Sequence, residues 1–216
     1  MPADPFVITV LAGVNGAGKS SVGGAHLQQN GGVFYNPDLL ARAAREASPS
    51  LTAQQANAYA WQRGKELLEA AIANRLDFNF ETTLGGETIT ALLIEAANKG
   101  ATLNVWYAGL STVDLHLKRV ASRVNKGGHP IPEADIRKRW IASHVNLVKL
   151  LPHVTTLRVY DNSVEKDPNK GQAPEPKLVL SVANRAIVFP GPDEVKDTPE
   201  WAKPVVVAAF KMLSQA

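Results

Sequence analysis

The chain has 216 residues, 45% hydrophobic and 20% charged, and its 23 Lys and Arg against 20 Asp and Glu leave a net charge of +3. That length and balance predict one globular domain over residues 1–216, and so small a charge gives no reason to expect nucleic acid as a partner. The longest largely apolar run, Phe6 to Ala12, is far short of the ~20 residues that span a bilayer, so no membrane segment is expected. With no cysteine there is no disulfide, thiolate metal site or cysteine nucleophile, and the lack of a basic leader before Phe6 points to the cytoplasm.

In chain order, short β-branched runs alternate with longer helical patterns, the signature of an α/β fold with a mainly parallel sheet of about five strands flanked by helices. The strands are expected at Phe6–Ala12, Gly32–Tyr35, Asp77–Glu81, Thr102–Gly109 and Val154–Tyr160. Helices are expected near Gly18–Gln29, Thr52–Asn74, Glu87–Lys99, Thr112–Asn125 and Glu133–Leu151. The first strand lacks polar alternation, as a strand buried on both faces should. Residues 162–177, rich in Pro, Gly, Lys and Glu, read as a surface loop. A C-terminal β-hairpin follows over Leu178–Phe189, turning near Ala183-Asn184-Arg185, and a terminal helix over Pro199–Leu213.

Between the first strand and the first helix lies Gly13-Val14-Asn15-Gly16-Ala17-Gly18-Lys19-Ser20, which matches G-x-x-x-x-G-K-S/T in the strand–loop–helix context that this phosphate-cradling motif requires. Its glycines let backbone N–H groups curl round an anion that also meets the positive end of the following helix. Lys19 is placed to reach the β- and γ-phosphates of ATP and the Ser20 hydroxyl to hold Mg²⁺. The expected nucleotide-binding residues are Gly13, Asn15, Gly16, Ala17, Gly18, Lys19, Ser20 and Ser21, with Ser20 as the metal ligand. The guanine-reading Asn-Lys-x-Asp pattern is absent from Asn98-Lys99, Asn125-Lys126 and Asn169-Lys170, which argues against a GTPase.

Two carboxylates stand where neighbouring strands end, Asp38 after the second and Glu81 at the end of the third. Strand ends of this kind open into the ligand crevice of α/β sheets. One such carboxylate can accept a hydroxyl proton while the other orients the acceptor or metal-bound water. Asp38 also suits the N-cap of a helix over Leu39–Ala47, and Glu81 a solvated strand end. Further on, Val113, Leu117, Val120 and Val124 form an apolar stripe, with His116, Arg119, Arg123 and Lys126 on an adjoining face. Then come Gly127-Gly128-His129-Pro130-Ile131-Pro132 and a helix bearing Arg137 and Arg139. Two basic helices joined by Gly-Gly suit a lid over residues 126–140 that closes on nucleotide.

These segments together resemble the zeta toxin family of bacterial P-loop kinases. The phosphate loop, Asn36-Pro37-Asp38, Phe80-Glu81-Thr82-Thr83-Leu84-Gly85, Arg119 to Pro132 and Tyr160-Asp161-Asn162-Ser163 fall in order over roughly residues 6–163. Glu81-Thr82-Thr83-Leu84 and Gly127-Gly128-His129 fit its compact, chromosomally encoded branch. The best-understood members use ATP and Mg²⁺ to phosphorylate the 3′-hydroxyl of UDP-N-acetylglucosamine, and a small antitoxin restrains them. The resemblance implies Asp38 as the base, Lys19, Arg119 and Arg123 at the transferring phosphate, and Glu81, Thr82, Thr83 and His129 at the acceptor. One departure stands out: the family arginine before the lid proline is missing, leaving Lys126, His129 or Arg137 to replace it.

The expected function is thus an ATP-dependent small-molecule kinase, with a nucleotide sugar as acceptor and an antitoxin as possible protein partner. Its rivals are a kinase of another acceptor, such as a nucleoside or an antibiotic, and a nucleotide-binding toxin–antitoxin regulator with little turnover.

Overall fold

The computed structural model describes residues 5–24, 34–125, 128, 130–164 and 175–213. Seven strands form one sheet: β1 (Phe6–Ala12), β2 (Phe34–Tyr35), β3 (Phe78–Thr82), β4 (Ala101–Gly109), β5 (Thr156–Asp161), β6 (Lys177–Ala183) and β7 (Ala186–Phe189). Their spatial order is β2-β3-β1-β4-β5-β6-β7. The first five are parallel, whereas β6 and β7 run antiparallel. The parallel set matches the sequence expectation, with ends shifted by one or two residues. The C-terminal hairpin continues that sheet rather than packing separately, and its turn residues Asn184 and Arg185 take positive φ of 49° and 65°, as a tight two-residue hairpin requires.

Helices α1 (Pro37–Ala47), α2 (Ala53–Asn74), α3 (Glu87–Asn98), α4 (Val113–Asn125), α5 (Glu133–Leu150) and α6 (Lys203–Leu213) surround the sheet. The strand after the phosphate loop is described only at Phe34–Tyr35, and the helix expected over Gly18–Gln29 only to Gly24, where Ser20–Gly24 form a π-helical turn. The terminal helix begins with a separate 3₁₀ turn at Glu200–Ala202. Lys177, expected in the surface loop, already belongs to β6.

The main core joins Phe6, Ile8 and Val10 of β1 to Leu103 and Val105 of β4, Leu147 of α5 and Val205 and Ala209 of α6. β1 is covered on both faces, which explains its unbroken apolar run. The polar helix α2 buries Ala56, Ala60, Gly64, Leu68 and Ala71, a stripe of mostly small residues that lets it lie close. At Gly64 an added Cβ would stand 2.6 Å from the Tyr35 ring, and the Tyr35 hydroxyl donates to the Ala60 carbonyl. Capping fixes the start of α2, since Thr52 and Gln55 form a reciprocal capping box. Trp201, from the turn before α6, covers Gly109 at the end of β4. No helix among the described residues is long and apolar enough to cross a membrane.

Candidate nucleotide and acceptor site

Gly13, Gly16 and Gly18 adopt φ of 139°, 83° and 75°, a region L side chains avoid. The space around them is equally restrictive. A Cβ at Gly13 would lie 2.3 Å from the Ala108 carbonyl oxygen, at Gly16 2.8 Å from that of His116, and at Gly18 2.3 Å from Asn162 Nδ2. The loop is therefore a cradle shaped by β4, α4 and the end of β5, and its residues fit a bound polyphosphate.

Side chains hold the cradle from outside. Asn162 Nδ2 donates to the Ala17 carbonyl at 2.9 Å, and Arg119 Nη2 to the Asn162 carbonyl at 2.8 Å. His116 Nδ1 donates to the Asn15 carbonyl at 2.8 Å, and Arg139 Nη1 to Asn15 Oδ1 at 2.9 Å. Burial pushes the His116 imidazole down to about 4 against the pull of its Asn15 bond, and the positive Lys19 nearby adds to the effect. His116 is consequently a neutral strut under the loop, not a member of the cationic lid face expected from its spacing.

Lys19 is buried and donates to the Gly13 carbonyl at 2.9 Å. It also pairs with Glu81 Oε1 at 3.2 Å, their side chains being only 9% and 14% exposed. Glu81 Oε2 accepts from Asn36 Nδ2 at 3.1 Å. Asn36 Oδ1 in turn accepts from the backbone N–H of Asp38 and Leu39, which makes Asn36 the N-cap of α1. The capping role considered for Asp38 is thereby corrected: Asp38 is the second residue inside the helix, and its carboxylate meets Arg123 Nη1 at 3.3 Å. Ser20 and Ser21 are exposed beside the loop.

Two clefts meet at Asp38. The smaller, about 350 Å³, is lined by Asn15, Tyr35, Trp61, Glu81, Thr82, Thr83 and Arg139, while the larger, about 880 Å³, opens between α1 and α4 past Arg119 and Arg123. The structure thus brings together the loop, Asp38, Glu81, Thr82, Thr83, Arg119 and Arg123. Thr82 and Thr83 also brace the turn that follows, each hydroxyl accepting from a backbone N–H two residues on.

Arg137 is a correction. It bonds Glu133 Oε1 at 2.7 Å and Asp114 Oδ1 at 3.2 Å on the exposed side of α5. The arginine of α5 that reaches the loop is Arg139, whose stem crosses Gly85. One signal for it was available: Arg139 stands three residues after buried Ile136 and four before buried Ser143, on the edge of the inward stripe. His129, Lys126 and Gly127 lie outside the described residues.

The profile of a family described as an AAA domain matches residues 8–142. An uncharacterized protein of Haemophilus influenzae is 29% identical over 128 residues, covering 59% of this chain and 88% of that protein. Among solved structures, a chain of the AvrRxo1-ORF1:AvrRxo1-ORF2 complex with sulphate ions superposes with a TM-score of 0.66 at 14% identity, over 92% of this chain. The same complex with ATP gives 0.65 at 14% identity and 92% coverage. This chain spans 65% of the matched AvrRxo1 chain in both. A chain of the PezAT chromosomal toxin–antitoxin system of Streptococcus pneumoniae gives 0.54 at 14% identity, over 81% of this chain and 76% of that one. The fold is α/β with a mostly parallel sheet and a P-loop after its first strand, shared with these solved structures.

Proposed function

We propose, from the premise that this chain belongs to the AAA-domain family of P-loop proteins, that it is an ATP-dependent kinase of a small hydroxylated metabolite, with a nucleotide sugar such as UDP-N-acetylglucosamine as acceptor. The observation that carries the reading is Asp38, a carboxylate lining both clefts and released from helix capping by Asn36. A protein that only bound nucleotide would need the loop alone.

In this mechanism the acceptor hydroxyl gives its proton to Asp38 while its oxygen attacks the γ-phosphorus of ATP. The bond from that phosphorus to the β–γ bridging oxygen breaks, and ADP leaves. The backbone N–H groups of Gly13–Ser20 hold the phosphates, and Lys19, Arg119 and Arg123 offset charge on the transferring group. Glu81 keeps Lys19 in place and, with Thr82 and Thr83, bounds the acceptor cleft. Ser20 would hold Mg²⁺, whose charge neutralises the phosphate oxygens. The AvrRxo1-ORF1:AvrRxo1-ORF2 likeness supports a protein partner and the PezAT likeness a small antitoxin, and use of ATP as donor fits a cytoplasmic setting.

The test incubates the protein with ATP, Mg²⁺, nucleotide sugars and a bacterial metabolite extract, and reads products by mass spectrometry. A phosphorylated product that disappears in Asp38→Asn and Lys19→Ala is the expected result. ATP binding without any product, and an Asp38→Asn protein that behaves like wild type, would favour a regulator instead.

A further inference from the structure

The larger cleft holds two arginines, Arg42 and Arg45, beyond Arg119 and Arg123, which the mechanism places at the transferring phosphate. Arg119 and Arg123 project into it from α4, and Arg42 and Arg45 from α1 on the opposite wall, against the carboxylates of Asp38 and Glu46. None of its lining residues belongs to the Gly13–Ser21 loop, so the α1 wall with Arg42 and Arg45 stands apart from the cradle for the donor's phosphates. Arg42 faces Glu46 at 3.6 Å with both side chains more than 70% exposed, a pairing that water already weakens and that an incoming anion displaces readily. Arg45 forms no ion pair among the described residues. Two pairs of like charges, three and four residues apart on their helices, therefore face one another across a space of about 880 Å³. Asp38 and Glu46 offset two of the four charges, and an anion between the helices meets the remaining two. Guanidinium groups match phosphate oxygens in fork geometry as well as in charge.

We propose that the α1–α4 cleft is a phosphate subsite of the acceptor, in which Arg42 and Arg45 select an acceptor that carries a phosphate over one that does not. This rests on the kinase reading, because Asp38 lies at the junction of the two clefts and ties them to one acceptor. The hydroxyl to be phosphorylated then sits by Asp38 while the acceptor's own phosphate lies farther along α1. Neutral acceptors such as nucleosides would leave Arg42 and Arg45 without a ligand.

The test uses pyrophosphate as probe and isothermal titration as readout. The full chain is first saturated with β,γ-imido-ATP and Mg²⁺ so that the phosphate loop is filled, and pyrophosphate is then titrated in. Binding that persists, weakens with added salt, and falls at least tenfold in Arg42→Gln/Arg45→Gln supports the subsite. The double variant should retain wild-type affinity for β,γ-imido-ATP and an unchanged melting temperature, which separates lost binding from lost folding. Pyrophosphate excluded by the filled loop would assign the cleft to the donor and overturn the proposal. Binding insensitive to the double variant would overturn it too. Because the titration does not depend on turnover, it reads anion binding in the cleft separately from the phosphotransfer screen, and a failed screen with intact cleft binding would overturn the kinase reading while leaving the anion site.

Discussion

The central strands end in two different ways. At their amino ends, polar contacts are exposed: the Val7 N–H donates to Asp77 Oδ1 at 2.7 Å, Arg75 lies 4.8 Å from the centre of the Phe6 ring, and its Nη1 bonds the Lys99 carbonyl at 2.7 Å. At their carboxyl ends the polar groups are buried: Lys19, Asn15, His116 and Asn162 all lie inside. Asn162 Oδ1 even lacks a hydrogen-bond partner among the described residues. A buried polar group is stable only while its partners stay in place. One end of the sheet simply closes the core, whereas the other stores polar groups at a cost in stability, as functional sites do.

The sharpest way to break this contrast is Lys19→Ala. It leaves the Glu81 carboxylate buried without its cation, and the expected loss is about 3–5 kcal/mol in denaturant unfolding. Adding Glu81→Gln to that variant should recover part of the loss, and a double-mutant cycle measures the coupling. Strict additivity would mean that the pair does not interact.

Acid probes the same end more gently. His116 has a folded pKa of about 4 against an ordinary value of 6.5, and burial likewise pushes His144 to about 4. Above about pH 7 both histidines are neutral in folded and unfolded chains and contribute no slope. As pH falls from 6.5 towards 4, the unfolded chain takes up protons that the folded one refuses, so stability drops by about 1.4 kcal/mol per unit for each histidine. Below pH 4 the slope disappears. For His116 the total is on the order of 3 kcal/mol, and His116→Asn should remove that share from the pH–stability curve.

Asn36 separates two smaller effects. Asn36→Ser keeps a side-chain cap for α1 but removes the donor to Glu81, so melting should change little while transfer slows. Asn36→Ala removes both, costing about 1 kcal/mol more. Equal kinetics in wild type and Asn36→Ser would remove Asn36 from the site. The smallest effect is expected at the amino ends. There Arg75→Ala should cost about 1 kcal/mol through its ring contact and hydrogen bond, with nucleotide affinity untouched.

Much of this was legible in the chain. The span of β1, the alternation of strands and helices, the loop glycines and the hairpin turn follow from local rules, and the structure reproduces them. The links around the loop were not legible. Arg139 reaches Asn15 across 124 residues and Asn162 reaches Ala17 across 145, and periodicity carries no information about partners so distant. The same limit hides the reach of Arg139 and the role of His116, whose deciding neighbours come from other elements. The Asn36 cap is different: Pro37 at the first helical position marks it locally. Arg42 and Arg45 are two exposed arginines on a polar helix, ordinary in sequence until α4 faces them across the cleft.

The three loop glycines press against three different parts of the chain: the Ala108 carbonyl, the His116 carbonyl and the Asn162 amide. In evolutionary terms the loop is inherited as a set, since changing any one glycine demands a simultaneous shift in an element far away in sequence. The rims of the two clefts carry no such obligation. Arg42, Arg45 and Trp61 are exposed side chains, replaceable one at a time. Descendants of this chain can therefore change what they act on by single steps while their handling of the nucleotide stays as it was.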